Sequence, residues 1–310
     1  YSMKNGLVVK DNALINASYN LELTEQRLIM LAIINARESG QGITADSTVE
    51  IHASDYAKLF EVSIDASYKA LREAVNNLFN RQFTYIAEYK KTGKTGIARS
   101  RWVSRIFYVD DLAILEITFA PDVVPLVTRL EEQFTSYQAK QIAHLSSKYA
   151  TRLYELLIAW REVGKVPEIE LNEFRNRLGL LGNEYTAMSD FKKRVLEPSI
   201  KQINEHTDII VTYNQHKKGR SISGFSFKFK QKPKQVQKDR DSNTIDFFTK
   251  MTDSQRHLFA HKMSEMPEMS HYSHGTESYQ QFAIRIADML LDEAKFKELY
   301  PILKKAGFKN

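Results

Sequence analysis

The sequence predicts an α+β fold: two tandem winged-helix domains related by internal duplication, followed by a small helical C-terminal region. Three observations carry this. The succession helix, short strand, short helix, helix, hairpin occurs twice along the chain. In the second occurrence a basic helix opened by Ser189-Asp190-Phe191-Lys192-Lys193-Arg194 leads into a hairpin tipped by Lys217-Lys218-Gly219-Arg220. A segment from Gln231 to Thr244 with Val236 as its one apolar residue then separates these units from further helical stretches. The expected boundaries are 1–140 and 141–232 for the two domains, 233–244 for a linker and 245–310 for the C-terminal region.

In the first copy, Thr24 to Glu38 carries apolar residues on nearly every face (Leu28, Ile29, Met30, Leu31, Ile33, Ile34), so it is expected to be a central, buried helix. A short strand follows at Thr48 to Ile51, then a helix capped at Ser54-Asp55 and running through Phe60. A second cap at Asp65 opens a helix with Tyr68, Leu71, Val75, Leu78 and Phe79 on its apolar stripe and Lys69, Arg72 and Asn76 outside. A meander of three strands is expected next, at Phe83 to Tyr89, Arg101 to Val109 and Ile114 to Phe119, with Lys90 to Gly96 as the tip after the first.

In the second copy, Tyr149, Leu153, Leu156, Leu157 and Trp160 mark a helix, Glu168 to Glu170 a strand, Asn172 to Leu178 a short helix, Phe191 to Ile203 a longer one, and Ile209 to Lys230 a hairpin. At an offset of 118, Glu50-Ile51 meets Glu168-Ile169, Tyr56 meets Phe174 and Phe60 meets Leu178. Identities are few, but the register of element types holds. Ile245 to Met266, Glu277 to Leu291 and Glu293 to Ala306 are expected to form the C-terminal helices.

Charge is concentrated. The net formal charge is −1 for residues 1–140, +8 for 141–238 and −1 for 239–310; between 189 and 234 there are eleven Lys or Arg against four Asp or Glu. That density calls for an anionic partner. Several other function classes find no support in the residues. Zero cysteines remove disulfides and thiolate metal sites and suit a reducing compartment, so the cytoplasm is the expected location. The longest apolar run, Leu28 to Ile34, is seven residues, against roughly twenty needed to cross a bilayer, and Tyr1 to Lys10 lacks the apolar core of a signal peptide. No phosphate-binding G-x-x-x-x-G-K-[ST] exists, since Gly93-Lys94 and Gly164-Lys165 have Glu88 and Ala159 where the first glycine belongs. None of the eight histidines forms the histidine-hydrophobe-histidine triplet of a nickase. His257 and His261, with His271 and His274 nearby, make a poor zinc set without cysteine, and Asp110-Asp111 is expected to be a strand-end turn. No enzymatic activity, cofactor or membrane partner is expected.

Double-stranded DNA is the expected partner. At about 100° per residue, Val195, Leu196, Ile200 and Ile203 fall on one side of the basic helix while Lys193, Arg194, Glu197, Lys201 and Asn204 fall on the other. Lys192, Lys193, Arg194, Lys201 and Asn204 are therefore the candidate base readers, and Pro198 should kink the helix. Ser189 at the helix start and Lys217, Lys218 and Arg220 at the wing tip are candidates for backbone phosphate. Phe225, Phe227 and Phe229 alternate with Ser226, Lys228 and Lys230, so the phenylalanines should pack inward. In the first copy Lys90, Lys91, Lys94, Arg99 and Arg101 form a more diffuse counterpart of the wing tip; these and the helical Lys69 and Arg72 either touch phosphate or are simply solvated.

Several stretches together resemble one family: Val8 to Ala17, Glu25 to Ile29, Tyr149 to Leu157, Asp190 to Leu196, Ile203-Asn204 and Lys217 to Arg220. From Leu7 to about Lys232 the chain is similar to the iteron-binding replication initiators of theta-replicating plasmids, the Rep or RepB type. The resemblance implies that the second winged helix reads half of a directly repeated origin sequence, while the first contacts an adjacent stretch and offers a dimer interface. It also implies monomers that help open an A·T-rich segment and hand it to a host initiator and helicase, and dimers that repress their own gene at an inverted repeat. Relatives place base-reading arginines just after the position of Phe191; Lys192 and Lys193 stand there beside Arg194, which keeps the charge but gives up bidentate guanine geometry at two positions. A dedicated transcriptional repressor with the same fold is the nearest alternative, a nicking enzyme a remote one.

Overall fold

The computed structural model describes residues 6–39, 43–128, 134–233, 251–273 and 277–308. The chain divides into two compact units, one of Val8–Asn35 with Ile43–Lys232, the other of Tyr1–Leu7, Ala36–Gly42 and Pro233–Asn310. Among the described residues no helix is long and apolar enough to cross a membrane.

The first half of the larger unit runs β1 (Leu7–Asp11), α1 (Asn12–Ile15), β2 (Ser18–Tyr19), α2 (Leu23–Glu38), β3 (Thr48–His52), α3 (Ala53–Phe60), α4 (Ile64–Asn77), β4 (Gln82–Tyr89), β5 (Lys94–Arg101), β6 (Val103–Val109), β7 (Ile114–Phe119), α5 (Val123–Thr128) and β8 (Phe134–Gln138). As its composition requires, α2 is buried on every side from Leu28 to Ile34. Ser63, two residues before the expected Asp65, caps α4 by accepting from the Ala66 N–H at 3.2 Å. The start of α3 at Ala53, before Ser54-Asp55, has no side-chain cap and instead follows directly from the extended His52. On α4 the buried stripe is Ser67, Ala70, Leu71, Ala74 and Leu78, while Tyr68 and Phe79 reach solvent.

The second half runs α6 (Lys148–Ile158), β9 (Lys165–Glu170), α7 (Leu171–Arg177), α8 (Met188–Phe191), a widened π-turn (Lys192–Leu196), α9 (Glu197–His206), β10 (Ile209–Lys218) and β11 (Ser221–Gln231). Its core is aromatic: Phe174 meets Phe191, Phe225 and Phe227 at ring-centre distances of 6.1, 5.7 and 5.4 Å. The inward alternation expected of Phe225, Phe227 and Phe229 is present, all three being buried.

The sheets establish the duplication and correct one part of its reading. β3 pairs with β7 and β7 with β6, giving the order β3-β7-β6; β9 pairs with β11 and β11 with β10, giving the same order. The first copy's wing is thus β6–β7, whose turn holds Asp110 and Asp111, with Ala113 at φ +52° leading into β7. The Lys90-to-Arg101 region is not its counterpart. It belongs to an inserted ribbon, β4–β5, in a separate sheet of order β2-β4-β5. The expected three-strand meander is therefore two hairpins, and Lys94 lies in a strand, not in the turn. β5 has no fully buried residue, only half-buried Ala98 and Ser100 between exposed neighbours, so hydrophobic periodicity has little to register.

The two halves are joined by a buried polar cluster. Arg152 on α6 donates through Nη2 to the carbonyls of Ile15 (2.8 Å) and Ala17 (3.1 Å), through Nη1 to Tyr19 Oη (2.5 Å) and Glu155 Oε2 (2.7 Å), and through Nε to the Arg177 carbonyl (3.1 Å). Glu155 accepts through Oε1 from Lys10 Nζ and Tyr137 Oη, both at 2.6 Å. Every one of these side chains is almost fully buried, and every donor of the guanidinium plane named here has an acceptor. Beside the cluster, Gly179 has φ +80°, and a Cβ there would stand 2.3 Å from the Tyr19 carbonyl oxygen. Gly179→Ala is expected to lower stability by more than the ~1–3 kcal/mol of a strained φ alone, since β2 must also retreat; a urea midpoint within error of wild type would contradict this.

The smaller unit contains α10 (Asp253–Ser264), α11 (Tyr279–Met289) and α12 (Glu293–Lys305). Reciprocal capping boxes, Thr252 with Gln255 and Ser278 with Gln281, set the starts of α10 and α11. Of the helix expected from Ile245 to Met266, the described part begins at Asp253 after the non-helical Met251 and Thr252; residues 245–250 and nearly all of the expected linker, 234–244, lie outside the described residues. Phe259, Met263, Phe282, Ile286, Phe296, Leu299 and Leu303 form its core. Arg37, also of this unit, pairs with Asp288 at 2.9 Å. His257 is pushed down to about 3, first by burial and then by the Arg37 and Arg256 charges, so it stays neutral. Among the described residues no group of three or more His, Asp or Glu could hold a metal; His274 lies outside them.

Candidate DNA-binding surface

The basic helix departs from regularity at the point where its chemistry is concentrated. Pro198 has no N–H, and in an unbroken α-helix its ring would press on the carbonyl of Arg194. The chain widens just before the proline: the Glu197 N–H reaches back five residues to the Lys192 carbonyl, closing a π-turn over Lys192–Leu196. Phe191, Val195 and Leu196 remain in the core, and Lys193 and Arg194 are left side by side in solvent. Lys193 has no hydrogen bond or ion pair among the described residues. Arg194 lies 3.7 Å from Asp190 across an exposed turn, a separation too long to hold the guanidinium.

The other expected readers separate into those that remain free and those that do not. Lys201 is exposed, 3.9 Å from Glu205. Lys192 is half-buried, reaching Gln215 Oε1 at 3.2 Å with its ammonium 5.9 Å from the centre of the Tyr213 ring, so it ties the helix to the wing. Asn204 is committed to the backbone. Its Nδ2 donates to the Val211 carbonyl at 3.0 Å and its Oδ1 accepts from the Val211 N–H at 2.6 Å, so both ends of the amide are used to launch β10. Tyr213 and Gln215 were missed; Tyr213, half-buried, continues the inward period of Val211 along β10, whereas Gln215 is exposed and carries no such signal.

Ser189 is exposed but is the second residue of α8, whose N-cap is Ala187, so it presents a hydroxyl in the first turn and does not open the helix. At the wing tip Lys217, Lys218 and Arg220 are all exposed. Gly219, at φ +67°, supplies the positive φ needed by the two-residue turn between Lys218 and Ser221. A bulge at His216/Lys217 re-aims the tip, with His216 held by Ser226 at 2.7 Å.

In the first half, Arg72 is engaged: its Nη2 donates to Asp110 Oδ1 at 2.7 Å, and Tyr108 Oη donates to the same oxygen at 2.9 Å. This exposed pair links α4 to the acidic turn of the first wing, which removes Arg72 from the free phosphate contacts and holds the Asp110 carboxyl below the usual range. Arg101 is likewise committed, donating to the Phe79 carbonyl at 2.9 Å over the Phe79 ring. Lys69 is exposed beside Glu73, and Lys90, Lys91, Lys94 and Arg99 are exposed on the ribbon.

This arrangement matches known proteins. The family model for the WH1 domain of initiator replication proteins matches residues 7–158, and that for the WH2 domain of initiator Rep proteins matches residues 170–229. An uncharacterized 27.6 kDa protein of Escherichia coli is 26% identical over 236 residues, 73% of this chain and 95% of that protein. Among solved structures, the Pi initiator protein in complex with iteron DNA is 22% identical with a TM-score of 0.61, covering 73% of this chain and 97% of that one. The WH1 domain of a replication protein isolated from a multiple sclerosis patient is 55% identical over 40% of this chain and 92% of that domain, with a TM-score of 0.34. A WH1 match that runs from β1 through α6 and a WH2 match that runs from the end of β9 into β11, each falling on one of the two sheets of repeated order, place this chain in the replication initiator family of tandem winged-helix proteins.

Proposed function

We propose that this replication initiator acts on a plasmid origin by binding directly repeated sequences, iterons, in double-stranded DNA. The observation that carries the reading is the π-turn, which leaves Lys193 and Arg194 in solvent in the same domain as a wing tip of three free cations. A recognition helix contributes its early residues to base edges and a wing contributes phosphate contacts. The protein works by binding and deforming DNA, without catalysis; no phosphate-binding loop supplies ATP-driven unwinding, so a host initiator and helicase provide it. Monomers occupy the repeats, and dimers formed through the first domain repress the protein's own gene. The compartment is the cytoplasm.

The test is a footprint of the full chain on the DNA flanking its own gene. Protection of several direct repeats supports initiation; protection of one inverted repeat alone supports the dedicated repressor. If about eight phosphates are neutralised, log K falls with log salt at a slope of about −7, and a slope near zero would remove DNA as the partner. Supercoiled DNA from the same region incubated with divalent metal should remain supercoiled, and a relaxed product or a covalent tyrosine adduct would overturn the non-catalytic reading.

A further inference from the structure

The base of the inserted β4–β5 ribbon is anchored by Phe83, buried against Trp102, but its strands belong to the three-stranded sheet of neither winged helix. β2 pairs only with Phe83 and Thr84, so from Tyr85 to Ala98 the ribbon is two-stranded with both edges unpaired. On it Ile86 and Ile97 stand directly opposite each other, and opposite residues of an antiparallel pair share a face. They are 72% and 83% exposed, the two most exposed large hydrophobic side chains of the described chain. Thr84 and Arg99 form the next pair on that face, the turn at the far end carries Lys90 and Lys91, and Lys94 opens β5. The pair on the other side of the isoleucines on the same face is Glu88 and Thr95, so they have a cation on one side and an acid on the other, and such an exposed pair is unfavourable in water unless something covers it.

We propose that this ribbon is a DNA-deforming arm: Ile86 and Ile97 wedge into a base step from the minor groove while Lys90, Lys91, Lys94 and Arg99 hold the flanking phosphates. The proposal rests on the DNA-binding reading above and adds a second contact of a different kind. Charge selects the occupant. From Gln82 to Arg101 the ribbon has five Lys or Arg and one acid, Glu88, so a second ribbon would set cation against cation, whereas a duplex offers phosphates on both sides of an apolar, unstackable step. Apolar wedges flanked by Arg or Lys are how minor-groove binders unstack and kink DNA, by about 20–90°. Pyrimidine–purine steps such as TA yield most readily, which directs the arm to A·T-rich sequence.

The test compares the full wild-type chain with Ile86→Thr/Ile97→Thr, a change at solvent-exposed sites that keeps strand propensity. The probes are duplexes selected from a random pool by the wild-type chain and an A·T-rich duplex with a central TA step. End-to-end fluorescence transfer reads the bend, and permanganate reads unstacked thymines. In the variant the bend and the thymine reactivity should be lost and affinity should fall about tenfold, with the selected sequence preference and the thermal melting unchanged. Lys90→Ala/Lys91→Ala/Lys94→Ala should instead reduce the magnitude of the salt slope by about 2–3. An unchanged bend and unchanged reactivity in the isoleucine variant overturn the arm, as does a variant whose only change is a shifted monomer–dimer equilibrium, which makes the ribbon a self-association surface. If selection yields no preferred sequence, the origin-reading proposal fails, and the A·T-rich duplex still decides the arm.

Discussion

Replacing Glu155 with alanine is expected to cost about 3–5 kcal/mol of folding stability, because it leaves two buried cations without their counter-charge. Lys10 and Arg152 both point at this carboxylate, at 2.6 and 2.7 Å, and Tyr137 donates its hydroxyl to it. Burial by itself would raise the Glu155 carboxyl; Lys10 and Arg152 outweigh it and hold the group down at about 2. A carboxyl depressed in the folded state contributes stability that is fully present above its ordinary value near 4.5 and is lost as pH falls toward 2. Wild-type stability should therefore drop across that interval, and Glu155→Gln should flatten the drop while lowering the plateau. Because the acceptors of Arg152 include Ile15, Ala17 and Tyr19, the same change loosens the hold of α6 on the segment from Ile15 to Tyr19. Urea unfolding from pH 7 to pH 2 is the measurement; equal midpoints for wild type and Glu155→Ala would show that the cluster contributes no net stability.

That cluster also marks what the sequence could and could not tell. Lys10, Arg152 and Glu155 sit within stretches that resemble the initiator family, yet nothing in their spacing reveals that residues 142 to 145 positions apart close on one another. Short-range pattern was enough where one face is buried: the apolar run of α2 and the alternating phenylalanines of β11 lie where their periodicity puts them. It failed on β5, which has no fully buried residue and so looks like a long turn. Missing that strand led the basic ribbon to be equated with a wing, when the true first wing ends in Asp110-Asp111. At the DNA-binding surface, helical geometry placed Lys193, Arg194 and Lys201 outward correctly, because a wheel reports direction. It could not report that the Asn204 amide, on the same side, finds the backbone of Val211 within hydrogen-bonding reach.

The difference between Asn204 and its charged neighbours makes the second large prediction sharp. Lys193→Ala and Arg194→Ala should each cost about 1–3 kcal/mol of binding to the selected site and relax base preference there, and the double variant should approach the sum less whatever the adjacent side chains share. Random duplex should lose only the phosphate part of that energy, so the specificity ratio collapses. Lys218→Ala on the wing should weaken selected and random duplex alike and reduce the magnitude of the salt slope by about 1. Asn204→Ala should behave in a third way, lowering folding stability by roughly 1–3 kcal/mol through the orphaned Val211 groups while leaving base preference intact. Binding isotherms on both duplexes at several salt concentrations, alongside unfolding curves, separate the three patterns. Equal losses on both duplexes for Lys193→Ala and Arg194→Ala would assign those side chains to the phosphates and move base reading elsewhere on the π-turn helix. Such a result would leave Lys201 as the remaining free cation of α9 among the expected readers, since Lys192 is held by Gln215 and Asn204 by Val211.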